Sequence, residues 1–201
     1  MKKTNRITML ALFIAIEILL AVVPFLGYVP IGVINATTLH IPVIAAGILL
    51  GKKEGGIVGL VFGITSVVKN TIQPTITSFI FSPFITIGGI SGSYQSLIIA
   101  IVPRVLIGFL AGLIYEKLAA KENKAIYIGI SAFVGSIVNT ILVMGLIFIF
   151  FGHAYANALS VPYNTIISFI MGVIATNGIA EALLAVCINI PLCKAGQRVI
   201  K

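Results

Sequence analysis

Residues 97–118 read Leu-Ile-Ile-Ala-Ile-Val-Pro-Arg-Val-Leu-Ile-Gly-Phe-Leu-Ala-Gly-Leu-Ile-Tyr-Glu-Lys-Leu, an apolar run interrupted once, by Arg104, and closed by Glu116 and Lys117. About 20 apolar residues suffice for a helix to cross the hydrocarbon core. This run meets that length, and a cation held inside it is costly enough to require a purpose. The surrounding chain has the same character. Of 201 residues 59% are hydrophobic and 9% charged, far from the quarter or so of charged residues in a soluble domain. The five acidic residues are all Glu, so Asp is absent. That removes the aspartates that hold magnesium in phosphoryl transfer and those that open calcium loops.

The same length rule divides the chain into six apolar segments: about 7–26, 33–50, 55–68 (short), 97–118, 125–151 and 165–192. Residues 69–96 contain Pro74, Pro83 and the run Gly88, Gly89, Ser91, Gly92, Ser93, which reads as an irregular outer cap. Charge tests the count, because short cytoplasmic loops accumulate Lys and Arg. With six spans, eleven of the 13 basic residues fall on one side: Lys2, Lys3, Arg6; Lys52, Lys53; Lys117, Lys121, Lys124; Lys194, Arg198, Lys201. The other loops contain only Lys69, and Arg104 lies within the fourth span. The expected architecture is an all-α integral membrane protein: one domain over 1–201, six transmembrane helices, both termini cytoplasmic, and outer loops capping a pocket. The net charge of +8 thus reports orientation in a membrane and not nucleic-acid binding.

Several motifs fail on inspection. The N-terminal Lys-Lys-Thr-Asn-Arg and the run after it imitate a secretory signal, but the run is too long and Pro24-Phe-Leu-Gly27 offers no small-x-small cleavage pattern. Gly47-Ile-Leu-Leu-Gly-Lys-Lys53 is one residue short of a phosphate loop and ends in Lys where Ser or Thr must hold magnesium. Asn35-Ala-Thr37 matches a glycosylation triplet by chance composition. Cys187 and Cys193 have no neighbouring ligands for zinc and read as reduced thiols.

Small residues four apart let helices approach closely in lipid. Gly55, Gly59 and Gly63, and Gly108 and Gly112, are expected to pack internally, whereas Ala11 and Ala15 form a face on the first helix where a membrane partner can dock. Polar groups at depth are the candidate ligand contacts. Arg104 is seven residues into its span, about 10 Å below the outer boundary, and Glu181 is sixteen residues into the sixth, about 24 Å down, with Asn177 one turn above it. Arg104 either binds a ligand or pairs with Glu181 to lock the bundle, and the unequal depths argue against the pair. Asn139 is either an interhelical strut or a ligand contact. His40 is either a satisfied core residue or a contact, and Asn35, Thr37 or Thr38 is the expected N-cap of the second helix. Asn70, with Gln73, Thr75, Thr77, Ser78 and Ser82, is placed on the outer loop among Phe79, Phe81 and Phe84, while His153 and Tyr155 are expected in a solvated loop. A pocket lined by Arg104, Asn139, Asn177, His40, Asn35, Asn70 and Glu181 suits an anionic solute rich in hydroxyls or amides. The chain carries no ATP site, no metal site and no inverted repeat, so it captures a solute without powering its movement.

With six segments, inward termini and Ala11-x-x-x-Ala15, the chain resembles the substrate-binding S components of energy-coupling factor (ECF) vitamin transporters. Three strings, Ile34-Asn-Ala-Thr-Thr-Leu-His-Ile-Pro42, Gly59-Leu-Val-Phe-Gly-Ile-Thr-Ser66 and Thr75-Ile-Thr-Ser-Phe-Ile-Phe-Ser-Pro-Phe84, look most like the pantothenate-specific members. The resemblance implies a non-enzymatic subunit of the prokaryotic plasma membrane. It implies that a small vitamin binds at the outer side, that the alanine face meets a transmembrane coupling subunit, and that ATP is used by two cytosolic ATPase partners, with no cofactor in this chain. Pantothenate offers one carboxylate, one amide and two hydroxyls, which matches Arg104 and the Asn and His groups. The alternatives are another vitamin (cobalamin, a hydroxymethylpyrimidine precursor), an intramembrane enzyme built on His40 with a hydroxyl or Glu181, or a stand-alone carrier.

Overall fold

A computed structural model describes residues 3–23, 27–31, 34–118 and 124–200. Lys2, Lys121 and Lys201 of the charge count, Pro24, Phe25 and Leu26 of the cleavage reading, and Val33 of the second segment lie outside the described residues. Helix α1 (Lys3–Val22) leads to an antiparallel hairpin, β1 (Tyr28–Ile31) with β2 (Ile34–Thr37), and then to α2 (His40–Leu50) and α3 (Lys52–Ile72). A cap over 73–93 holds a 3-10 turn (Ser78–Ile80) and a small hairpin, β3 (Thr86–Ile87) with β4 (Ile90–Ser91). Helices α4 (Tyr94–Leu118) and α5 (Lys124–Ala158) follow. The last helix, α6, joins Ile166–Val173, a π turn at Ile174–Gly178, and Ile179–Ile200.

Five helices among the described residues are long and apolar enough to cross a membrane, and α2, with 11 residues, is not. This corrects the expected second and third spans. Residues 34–37 form a strand where the second span was expected to begin, and α2 starts only at His40, with Leu39 as N-cap and no side-chain cap. Asn35 and Thr37 stand in β2, not at a helix N-terminus. α2 rises about 16 Å at 1.5 Å per residue. It ends at Gly51, whose φ of 113° disfavours a side chain.

The third segment is longer than 55–68, because its polar ends stay helical. Asn70 Nδ2 and Thr71 Oγ1 donate back to the Ser66 and Val67 carbonyls at 2.9 and 2.8 Å. At the opposite end Arg6 bridges Glu54 at 2.7 Å and donates to the Leu50 carbonyl, and Lys52 bridges Glu116 at 2.8 Å. These bonds tie α1, the α2–α3 turn and α4 together. Helix α5 departs from helical geometry at Phe151 (φ −130°, ψ 17°), near the expected end of its span, and continues to Ala158. His153 and Tyr155, expected in a loop, therefore sit on a helix, stacked on Tyr163 and edge-on to Phe169.

The glycines pack inward as expected. A Cβ on Gly55 would lie 2.5 Å from the Gly108 carbonyl oxygen, one on Gly59 would collide with the Arg104 carbonyl, and one on Gly112 would lie 2.7 Å from the Gly47 carbonyl. Backbone-to-backbone approach of α2, α3 and α4 follows, and it fixes the height of Arg104 against α3. Two apolar clusters result: one around Phe13, Val43, Ile44, Val58 and Ile107, the other beneath the cap around Phe79, Ile99, Ile147 and Ile166. Phe79 is fully buried, meets Phe151 edge-on at 5.8 Å, and its carbonyl accepts from Ser96 at 2.7 Å, so the cap is part of the packed core.

Helix α1 touches the bundle along Phe13, Glu17 and Ala21, one residue per turn. Glu17 is completely buried, and neither carboxyl oxygen has a hydrogen-bond partner among the described residues. A buried polar group without a partner costs about 1–3 kcal/mol. Glu17→Met is therefore expected to raise the thermal unfolding temperature in detergent; a lower temperature would show that the carboxyl has a stabilising role.

Candidate ligand-binding site

The site begins with Pro103. Proline has no N–H, so inside α4 it leaves the carbonyl four residues earlier without its helical donor. That carbonyl belongs to Ile99, and the guanidinium of Arg104 takes the place of the missing donor, with Nη1 donating to it at 2.9 Å. The guanidinium carbon also lies 5.4 Å from the ring centre of Phe62 on α3 and 5.2 Å from that of Phe81 on the cap. Arg104 is 9% exposed. Held by a freed carbonyl and two aromatic faces, it is a positioned cation where the two apolar clusters meet.

A small cavity of about 60 Å3 lies beside it, lined by Thr37, Thr65, Ser66, Lys69, Arg104 and Asn139, with Ala21, Leu39 and Phe62 supplying apolar wall. The Oδ1 of Asn139 is buried with no partner among the described residues, which leaves an acceptor for a ligand hydroxyl or amide. Thr37 reaches the cavity because Oε1 of Glu181 accepts from its backbone N–H at 2.9 Å and its hydroxyl at 3.0 Å. The strand β2 ends beside Glu181, so Glu181 holds Thr37 in the cavity wall.

The sequence-derived candidates separate accordingly. Arg104 and Asn139 meet in the cavity. Glu181 stands behind it, next to His40, which is 2% exposed in the first turn of α2. Asn177 lies in the π turn of α6, accepting from Thr176 at 3.4 Å. That turn sets Gly178 against Thr140, where an added Cβ would be 3.1 Å away. Asn70 belongs to α3 and not to the outer loop; its amide braces the cap, with Oδ1 accepting from Ser78 at 2.6 Å. Asn35 is placed only as the β2 residue opposite Pro30. Sequence reasoning missed Thr65, Ser66 and Lys69. Their signal was present: Thr65 and Lys69 share a helix face at a spacing of four, and Lys69 is the one basic residue that the charge rule leaves on the outer side.

Residues 5–193 match the family described as the substrate-specific component of ECF transporters. This chain belongs to that family. Among its relatives, the pantothenic acid transporter PanT of Lactococcus lactis subsp. cremoris is 38% identical over 199 residues, covering 96% of this chain and 94% of that protein. A pantothenate transporter PanT of Leuconostoc mesenteroides subsp. mesenteroides is 25% identical, covering 92% and 88%. The fold is shared with a crystal structure of the S-component for biotin from an ECF-type ABC transporter, at TM-score 0.51 and 20% identity over 96% of this chain and 95% of that one. An S component is a transport subunit of the prokaryotic plasma membrane, not an enzyme. The trio envisaged for an intramembrane enzyme does assemble, as Thr37, Glu181 and His40. Its hydroxyl residue, Thr37, lines the cavity with Arg104 and Asn139.

Proposed function

We propose that this chain is the capture subunit of an ATP-driven importer and that its ligand is pantothenate, bound by its carboxylate at Arg104. The observation that carries this reading is the convergence of two cations, Arg104 and Lys69, with Asn139, Thr37, Thr65 and Ser66 on one small cavity. One carboxylate answers the cations, and an amide and two hydroxyls answer the neutral polar groups. Two relatives named as pantothenate transporters support the same ligand. Cobalamin and a hydroxymethylpyrimidine lack a carboxylate for two cations; biotin has one but lacks the hydroxyls. A cavity of 60 Å3 is room for a few waters, so capture requires the walls to part.

Family membership supports a coupling subunit and ATPase partners; in this reading the transmembrane coupling subunit docks on the Ala11 and Ala15 face, and two cytosolic ATPases supply the energy. Both alanines are exposed, which leaves that face open. The reading also places both termini in the cytoplasm and the cavity in the outer half of a single six-helix unit. Titration of pantothenate into the detergent-solubilised protein tests the ligand. Saturable binding at one site, displaced by unlabelled pantothenate and not by biotin, is expected; tight binding of another vitamin with none of pantothenate would overturn it.

A further inference from the structure

A second hollow lies beside the first. A groove of about 360 Å3 runs between the outer halves of α1 and α3, walled largely by apolar side chains, among them Ile18, Val22, Val68 and Ile72. Among the described residues its rim is open: Val22 and Ile72 are each 72% exposed. Groove and cavity share three lining residues, Ala21, Thr65 and Lys69. The partition between surface and site is thus a methyl group, a small hydroxyl and a flexible ammonium stem. Phe62 and the stacked Arg104 form another part of the cavity wall.

We propose that the α1–α3 groove is the route by which the anionic ligand reaches the cavity, and that Lys69 at its inner end draws the carboxylate in and passes it to Arg104. This rests on the reading of the cavity as a carboxylate site. The division of labour follows from geometry. Arg104 is pinned by the Ile99 carbonyl and two rings and sets how long the ligand stays. Lys69 lines both hollows on a long side chain, in a mostly apolar channel where a single cation focuses attraction. Charges of this kind act chiefly on association rate, and buried paired ones on dissociation rate. Helix α1 makes such an opening feasible, because at this level only Ala21 of its inward stripe stands between the two spaces.

Rapid-mixing filter binding of radiolabelled pantothenate to the detergent-solubilised full chain separates the roles. Lys69→Met is expected to slow association at least tenfold and flatten its salt dependence while changing dissociation less than threefold. Val22→Trp, at a position that lines the groove and not the cavity, is expected to slow association and dissociation together about fivefold or more with Kd within twofold. Wild-type rates for Val22→Trp, or a Lys69→Met defect confined to dissociation, would overturn the route. A second readout needs no vitamin. In a Cys187→Ser background, with Cys193 buried, Thr65→Cys is expected to react at least tenfold faster with a negatively charged methanethiosulfonate than with a positively charged one. Val22→Trp should slow both reagents. That pattern without pantothenate binding would reject pantothenate and keep the route; equal reagent rates, insensitive to Val22→Trp, would reject the route even if pantothenate binds.

Discussion

Arg104→Ala is expected to weaken pantothenate binding by at least about 30-fold while the protein stays monodisperse in detergent. Removing one partner of a buried charge pair costs about 2–5 kcal/mol, and each 1.4 kcal/mol or so is tenfold in Kd. The variant should still fold, because the Ile99 carbonyl is already without a helical donor through Pro103, and the guanidinium contributes one bond to it. Arg104→Lys is expected to fall between, since it keeps the charge and loses the planar fork that rests on Phe62 and Phe81. Calorimetry beside size-exclusion chromatography reads both effects. Aggregation of Arg104→Ala, with Arg104→Lys fully active, would make Arg104 a brace of α4 and not a ligand contact.

The second large effect is on transport. Ala11→Trp combined with Ala15→Trp is expected to reduce ATP-dependent pantothenate uptake at least tenfold, in vesicles holding this chain with its coupling subunit and ATPases, and to leave the Kd of the isolated chain within twofold. Both positions are exposed on α1, whose buried stripe is Phe13, Glu17 and Ala21, so large side chains there leave the fold's own packing untouched. They would, however, hold a partner helix several ångströms away, and in lipid close approach is what makes association favourable. Uptake at the wild-type rate would place the docking surface elsewhere. Loss of binding together with uptake would show that α1 cannot tolerate the change.

The particular residues show which features sequence alone could reveal. Long apolar helices and the inward glycine seam were legible because lipid imposes length and close approach imposes small residues, both local patterns. Arg104 and Asn139 were legible as polar groups at depth, and they do line one cavity. The second span was not. Ile34-Asn-Ala-Thr37 is apolar enough to extend a hydropathy window, yet it pairs with Tyr28–Ile31 as a strand, an outcome set by a partner and not by composition. The position of Glu181 was hidden for the same reason: its depth was counted along one helix, whereas its contact with Thr37 depends on where β2 runs. Lys69 was overlooked because the charge rule treats an outer cation as an exception to be tolerated. Here that exception lines the cavity. The Pro103–Ile99–Arg104 arrangement was readable in principle, since a proline frees the carbonyl four residues back wherever it sits inside a helix.

The central claim is that Arg104 and Lys69 form a carboxylate site, and the most direct test compares two ligands that differ only there. Equilibrium titration of the wild-type chain with pantothenate and with pantothenol, which carries an alcohol in place of the carboxylate, isolates the charge. Binding of pantothenate at least about 100-fold tighter than pantothenol is expected, with the gap narrowing by at least about tenfold in Arg104→Ala, where Lys69 alone is left to meet the carboxylate. Equal affinities for the two in the wild-type protein would contradict the account, because the two cations of the cavity would then play no part in recognising the ligand.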